Sequence, residues 1–532
     1  MAYFLLNAVA LKLCIAKAQL WGWWYEYAVL LVTLIIGSLF VHQRRRDNRL
    51  NLPPGPWRLP VIGNLHLLLP GKLLHQLLRD LSVKYGPIMF LQLGQLPTVV
   101  ISSPEIAREV LQTNERVFFD RPSPCYCKYL LYGGDNLSLS PYGTFWRNLR
   151  KLCVMELLSN RKVQDFREVR EEEVATLIQD IATTTGMVNL SRFVLCLTNN
   201  VVSRIVVGKK YRENGVGGYA DMVNKVANML HGYSIGDLFP SMQWITFFTP
   251  MHARVRHLFR RVDAFLDGIV EEHLKERKNG DKIKDFVNYL LDIQERGDLH
   301  FPLTRHHLKA LLLDMIGGGT ETSYVTMTWA MSELIRNPRI MRKAQEELRN
   351  TIGEKPMVEE SDLPKLTYLK CIIKEIFRFH TQIPIIARVS REDCIIGGYH
   401  VPAGTRVMVN AWGIGRSAKI WENPDQFIPE RFEKSTIDFK GQDFELIPFG
   451  AGRRGCPGIS YANSVIEIVL AQLLFHFDWE LPNGTKPEEL DMTENTSVVR
   501  QKKSDLILVA KPRCPRSKLH VSQSSPSESG DH

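Results

Sequence analysis

The chain has 532 residues, of which 45% are apolar and 23% charged. This is a globular composition that excludes a low-complexity or fibrous protein, and the length suits two or three ordinary domains or one large one. A net charge of +10 points to an acidic partner or an anionic membrane surface, whereas Lys and Arg spread along the chain without a recognition motif argue against nucleic acid.

The nine cysteines, Cys14, Cys125, Cys127, Cys153, Cys196, Cys371, Cys394, Cys456 and Cys514, are odd in number and widely scattered. That pattern suits a reducing compartment rather than a disulfide framework. Only Cys125 and Cys127 lie close together, and without a second pair they do not make a zinc site.

In chain order, the first element is an apolar run over about 20–41. It has Trp21, Trp23, Trp24 and Tyr25 at one end and Arg44, Arg45 and Arg46 beyond the other. About 20 apolar residues span a bilayer, and the basic cluster places the residues after Arg46 on the cytoplasmic side. A cleaved signal peptide fits less well, because the run begins late and no small-residue cut site comes after it. A transit peptide is favoured by the lack of acids before Glu26 but would hold more Ser and Arg. Residues 1–46 are therefore expected to be a membrane anchor. Residues 47–60 form a basic, proline-rich hinge built on Pro53-Pro-Gly-Pro, which is neither helix nor central strand. The main domain is expected over 61–512 and a disordered, Ser-rich polar tail over 513–532.

Residues 88–101 alternate around Gly94 and read as a strand pair. The stretch Phe145–Lys151 is helical by pattern and puts Trp146 and Arg150 on one face, as an amphipathic surface helix also would. A long helix is predicted over 304–337, opened by Pro302 and a Thr cap and closed by Pro338. Its middle, Gly317-Gly-Gly-Thr-Glu-Thr-Ser323, costs roughly 1 kcal/mol per interior glycine. Close approach of a ligand, or a kinked core helix, would account for it. A further helix over 365–380 carries a buried stripe and sets Glu375 and Arg378 three apart on one face. A hairpin is predicted over 394–411 around Pro402-Ala-Gly404.

The strongest signal is Phe449-Gly-Ala-Gly-Arg-Arg-Gly-Cys-Pro-Gly458. It presents Cys456 on a glycine-rich loop just before a long apolar helix, where the helix dipole favours a thiolate. Gly452, Gly455 and Gly458 allow close approach to a flat ligand and aim amides at sulfur. Arg454 adds a fixed cation for a ligand carboxylate. A free cysteine is also commonly a small buried hydrophobe. The embedded Gly450-x-Gly452-x-x-Gly455 matches a dinucleotide fingerprint but fails on position, since too little chain remains after it to build a nucleotide domain.

These motifs resemble those of the plant-type microsomal cytochrome P-450 monooxygenases, over roughly residues 53–512. The resemblance implies a mainly α fold with a small β-region, preceded by an N-terminal transmembrane helix. It implies haem b with Cys456 as metal ligand, held also by Phe449, Arg454, Trp146 and Arg150 (the last two on a propionate), with Arg388 reaching the second propionate. Gly318 and Gly319 would open a groove over the iron, and Glu321 and Thr322 would be the catalytic acid–alcohol pair delivering protons to dioxygen. Glu375, Arg378 and Arg431 would form a structural lock behind the haem. Where plant members commonly read His-Pro-Pro, this chain reads His380-Thr381-Gln382.

No flavin or iron–sulfur motif is present, so a separate NADPH-dependent flavoprotein reductase is expected to supply electrons. It would dock on a basic face including Arg453 and Arg454. The expected location is the endoplasmic reticulum membrane, single-pass, with the catalytic domain in the cytoplasm. Pocket segments are expected at 116–136 and 380–388, with Phe118, Phe119, Ile383, Ile385 and Ile386 offering apolar surface. By resemblance a terpenoid hydroxylation comes first and a phenolic or fatty-acid oxidation second. A membrane-anchored haem sensor or carrier is the alternative of another class.

Overall fold

The computed structural model describes residues 50–68, 71–210, 234–279, 285–297, 301–495 and 499–513, with parts of 222–229. The expected membrane span and the tail after Arg513 lie outside the described residues.

The longer helices are α1 (Leu74–Tyr85), α2 (Thr144–Cys153), α3 (Arg167–Thr183), α4 (Leu190–Val207), α5 (Pro250–Lys278), α6 (Phe286–Arg296), α7 (Arg305–Arg336), α8 (Pro338–Ile352), α9 (Thr367–Phe379) and α10 (Ile459–His476). The strands are β1 (Ile88–Leu93), β2 (Leu96–Ile101), β3 (Met187–Asn189), β4 (Ile385–Val389), β5 (Cys394–Ile396), β6 (Tyr399–Val401), β7 (Arg406–Asn410), β8 (Phe477–Glu480) and β9 (Ile507–Pro512). The fold is thus mainly helical with small sheets.

Helix α7 runs through the middle, because its sequence is apolar on most sides and must be covered on most sides. Thr304 Oγ1 caps it by accepting from the His307 amide. Helices α4 and α10 pack directly on it, and α10 buries nearly its whole length beyond Ser464. In the largest sheet β1 pairs antiparallel with β2, β2 parallel with β7, and β7 antiparallel with β4. All five residues of β7 are buried, as suits a central strand with a parallel neighbour.

One expectation changes here. The hairpin predicted around Pro402–Gly404 is instead β5–β6, turning at Gly397 and Gly398 with φ of +55° and +82°. After Gly404 the chain enters the four-stranded sheet as β7, because its unbroken apolar run belongs in a sheet interior. The proline-rich hinge packs against β1. Pro54 O accepts from Phe90 N at 2.8 Å, and a Cβ on Gly55 would fall 2.0 Å from Phe90 O.

Candidate active site

The glycine-rich loop closes on itself just before α10. Cys456 N donates to Phe449 O at 2.8 Å, Gly455 N to Gly452 O at 3.0 Å, and Ala462 N to Gly458 O at 2.9 Å. The Gly458 amide donates to Cys456 Sγ at 3.3 Å. Gly452 has φ +66°, and a Cβ there would lie 2.1 Å from Leu111 O, so a side chain is excluded on both counts. Phe449 packs edge-on against Phe377 of α9, centroids 5.0 Å apart. Burial pushes the Cys456 thiol up, against the Gly458 amide and the charges of Arg150 and Arg121.

Guanidiniums converge on this loop. Arg150 Nη2 donates to Gly455 O at 2.8 Å, Arg121 Nη2 to Arg454 O at 3.2 Å, and Arg454 Nη1 to Leu137 O at 3.4 Å and Nη2 to Ser140 O. Arg388 is 3% exposed and donates to its neighbouring Ala387 O. Burial, then the like charges of Arg121 and Arg454, holds Arg388 well below its ordinary range. Burial, then Arg121, pulls Arg454 down to about 9, and Arg454 Nε is buried without a partner. Among the described residues neither Arg388 nor Arg454 forms an ion pair. A cluster of buried cations is costly unless anions enter it, and the two carboxylates of a haem fit that need.

The structure therefore brings together Cys456, Phe449, Arg454, Arg150, Trp146 and Arg388, and adds Arg121. The sequence reading missed Arg121; its only local sign is an Asp120–Arg121 pair after two apolar phenylalanines. The single N–H of Trp146 donates to Leu137 O at 3.1 Å. Its indole lies beneath Arg454, 4.2 Å from centroid to guanidinium carbon, a cation–π contact. Arg454 is buried, so of the two arginines expected on a docking face only Arg453 reaches the surface, where it pairs with Glu115 at 2.8 Å.

Opposite the loop, α7 opens at its glycines. Gly318 is exposed and Thr322 half-buried, although Ile316, Thr320 and Ser323 around them are buried. A Cβ on Gly318 would meet nothing within 4 Å, whereas one on Gly319 would lie 3.0 Å from Val202 of α4. The expected groove thus belongs to Gly318, while Gly319 permits helix packing. Thr322 Oγ1 donates to Gly318 O at 2.9 Å. Glu321 is buried, accepts from Gln501 Nε2, and burial raises its carboxyl to about 7. Two turns earlier, Asp314 accepts from Asn136 Nδ2, the amides of Leu137 and Ser138, and Ser138 Oγ. Arg121 feels both Asp314 and Cys456, so the cysteine loop and this part of α7 face each other across it.

Behind the loop, the Glu375 carboxylate accepts from Arg378 Nε and Nη2, both at 2.7 Å, from Arg431 Nε at 3.2 Å and from Ile428 N at 2.7 Å. Arg378 Nη1 donates to Gly415 O at 2.6 Å and Pro424 O at 2.8 Å. The lock is thus fully hydrogen-bonded.

The expected pocket residues are mostly elsewhere. Phe118 and Ile386 pack in the core beside the main sheet, Phe119 in the helical core against Trp146, and Ile385 against the small cluster that includes Leu78 and Met89. Ile383 alone is exposed, at 38%. Apolarity reveals burial without telling a core from a cavity wall.

The family profile described as Cytochrome P-450 matches residues 53–509. The chain is similar to cytochrome P-450 71AP13 of Prunus mume, 47% identical over 488 residues that cover 91% of this chain and 95% of the relative. It is similar to melianol synthase of Melia azedarach, 44% identical and covering 92% and 99%. Among solved structures it is similar to a zebra fish cytochrome P-450 with progesterone. The TM-score is 0.70 and the identity 27%, over 82% of this chain and 99% of that one.

Proposed function

The chain belongs to the cytochrome P-450 family and is a haem-thiolate monooxygenase, and on that premise we propose that it hydroxylates a small apolar metabolite, a terpenoid first, with Cys456 as the residue that would hold the iron. The observation that carries the site assignment is the set of buried guanidiniums around the Cys456 loop. Arg388 and Arg454 would receive the propionates, with Arg121 and Arg150 beside them. When bound, haem supplies the activation of dioxygen by two electrons, one oxygen atom entering the substrate and the other leaving as water with two protons.

This chain's own residues do the rest. The Cys456 thiolate would hold the iron and push electron density toward it, and the Gly458 amide, which donates to Sγ, would moderate that donation. The bare face at Gly318 would leave room for a ligand on that side of the helix. Thr322 holds a proton at Oγ1, and the Glu321 carboxyl, raised to about 7, exchanges protons near neutral pH. The family assignment sets aside the haem sensor or carrier.

The family draws electrons from a redox partner. An NADPH-dependent flavoprotein reductase is the one we assign, on a basic face that includes Arg453. We place the protein at the endoplasmic reticulum membrane. Support comes from an apolar patch in the catalytic domain: Trp57 and Val61 are exposed, as are Trp244, Phe247 and Phe248. Gly94 N bonds Ile62 O on one side, and Gln95 N bonds Leu238 O on the other, which joins the two halves of the patch.

The terpenoid choice is supported by a relative named melianol synthase and by a solved homologue with progesterone. A polycyclic apolar substrate is in keeping with both. Reduced protein under carbon monoxide is expected to show the red-shifted Soret band of thiolate ligation. Persistence of that band in Cys456→Ser removes the ligand assignment. Incubating microsomes containing the protein and its reductase with terpenes, phenolics and fatty acids tests the substrate; product only from a phenolic overturns the terpenoid reading.

A further inference from the structure

On its own helix no neighbouring side chain bonds the Glu321 carboxyl. Gly317, Gly318 and Val325 carry no donor, and the hydroxyl of Tyr324, three residues on, is engaged with Ser191 and Thr328. Yet Glu321 is buried, at 8% exposure, and a buried carboxyl without a donor is costly. Among the described residues its side chain has one hydrogen-bond partner, the Gln501 amide Nε2, which comes from the far end of the chain.

The loop bearing Gln501 is itself fixed. Asn495 N donates to Gln501 O at 2.9 Å and Gln501 N to Val499 O at 2.8 Å. Glu494 and Lys502 are bridged. The neighbouring Arg500 is 1% exposed and paired to Glu494. Its carbonyl accepts from Trp329 Nε1 at 2.6 Å, eight residues beyond Glu321 on α7, which is about two helical turns. Arg500 N donates to Gln382 O at 2.9 Å. The loop is therefore tied to the helix carrying the acid and to the segment after α9, and Gln501 projects from it onto the carboxyl.

We propose that Gln501 is a positioning residue: its side-chain amide holds the Glu321 carboxyl in the orientation from which protons pass toward dioxygen. This rests on the reading of Glu321 and Thr322 as the acid–alcohol pair. An amide serves here because its N–H bonds the carboxylate without the permanent charge that would keep the acid ionised. Without Gln501 the carboxyl loses its fixed direction, and a displaced acid transfers protons poorly.

The test uses the full chain with bound haem and an NADPH-dependent flavoprotein reductase, without added substrate. Under these conditions two electrons and two protons reduce dioxygen to hydrogen peroxide, whereas four of each reduce it to two waters. Failed proton delivery therefore raises the peroxide-to-water ratio. Glu321→Gln and Gln501→Leu are each expected to raise it roughly tenfold, the scale of one lost hydrogen bond to a charged group. The double variant is expected to go no further than the larger single effect. Gln501→Lys, whose charge would keep the acid ionised, and Gln501→Glu, which sets a second carboxyl against the first, are each expected to behave like the leucine variant.

A second readout does not depend on turnover. The infrared carbonyl band assigned to protonated Glu321 by its loss in Glu321→Gln is expected to shift to higher frequency in Gln501→Leu. An unshifted band, an unchanged ratio in Gln501→Leu while Glu321→Gln raises it, or multiplied effects in the double variant each overturn the inference alone. An unchanged ratio in Glu321→Gln overturns the proton-relay reading itself.

Discussion

Glu321 holds its proton to about pH 7 in the folded chain because burial opposes its charge, against an ordinary value of 4.5. Between those two values the unfolded chain has released the proton and the folded one has kept it, so stability falls as pH rises through that window and stays lowered above it. Glu321→Gln is therefore expected to stabilise the fold at pH 8 by on the order of 1–3 kcal/mol, and by much less near pH 4. Urea unfolding at both pH values reads the difference. A gap that does not depend on pH would mean the carboxyl is not held protonated. Stability and proton delivery would then trade against each other at a single side chain. The sequence alone named Glu321, through the glycines beside it, but could not name Gln501, which lies 180 residues away on a loop without any pattern of its own.

The element that holds the site from behind is α9, whose Glu375 and Arg378 are both fully buried. Glu375→Ala leaves Arg378 and Arg431 facing each other without their carboxylate, and removing one partner of such a group costs about 3–5 kcal/mol. Expressed protein is expected to carry little haem, read as the ratio of Soret to protein absorbance. Wild-type haem content in this variant would show that the lock is dispensable. Helices such as α7, α9 and α10 are legible in sequence because each shows apolar residues at helical spacing between capping or breaking residues. The surroundings of the loop over 449–458 are less so. Arg388 lies on β4 as one of two inward residues, with Ile386, and which face of a strand meets a cavity depends on partners found only in the fold. The same gap explains why Phe118 and Phe119 read as pocket walls and prove to be core.

For the whole molecule, the apolar patch suggests that the catalytic domain touches the bilayer by itself. A chain lacking residues 1–46 is expected to remain partly bound to anionic lipid vesicles. Trp244→Ser combined with Phe248→Ser, at residues 62% and 82% exposed, is expected to weaken that binding about tenfold or more in a sedimentation assay. Equal binding by both chains would remove the patch from consideration. Patch and site come from distant parts of the sequence, and the main sheet shows how distant. Val99 lies beside Val407 in the parallel pair of β2 and β7, roughly 300 residues apart. At about 5–20 residues per second of synthesis, β2 waits roughly 15–60 s for its partner, and the cysteine loop emerges later still. During that interval β1 and β2 form a two-stranded ribbon with an open apolar edge, a form prone to pair with other chains. Haem capture must therefore be among the last events in the maturation of each molecule, and cells short of haem would accumulate a chain whose sheet has closed around an empty arginine cage.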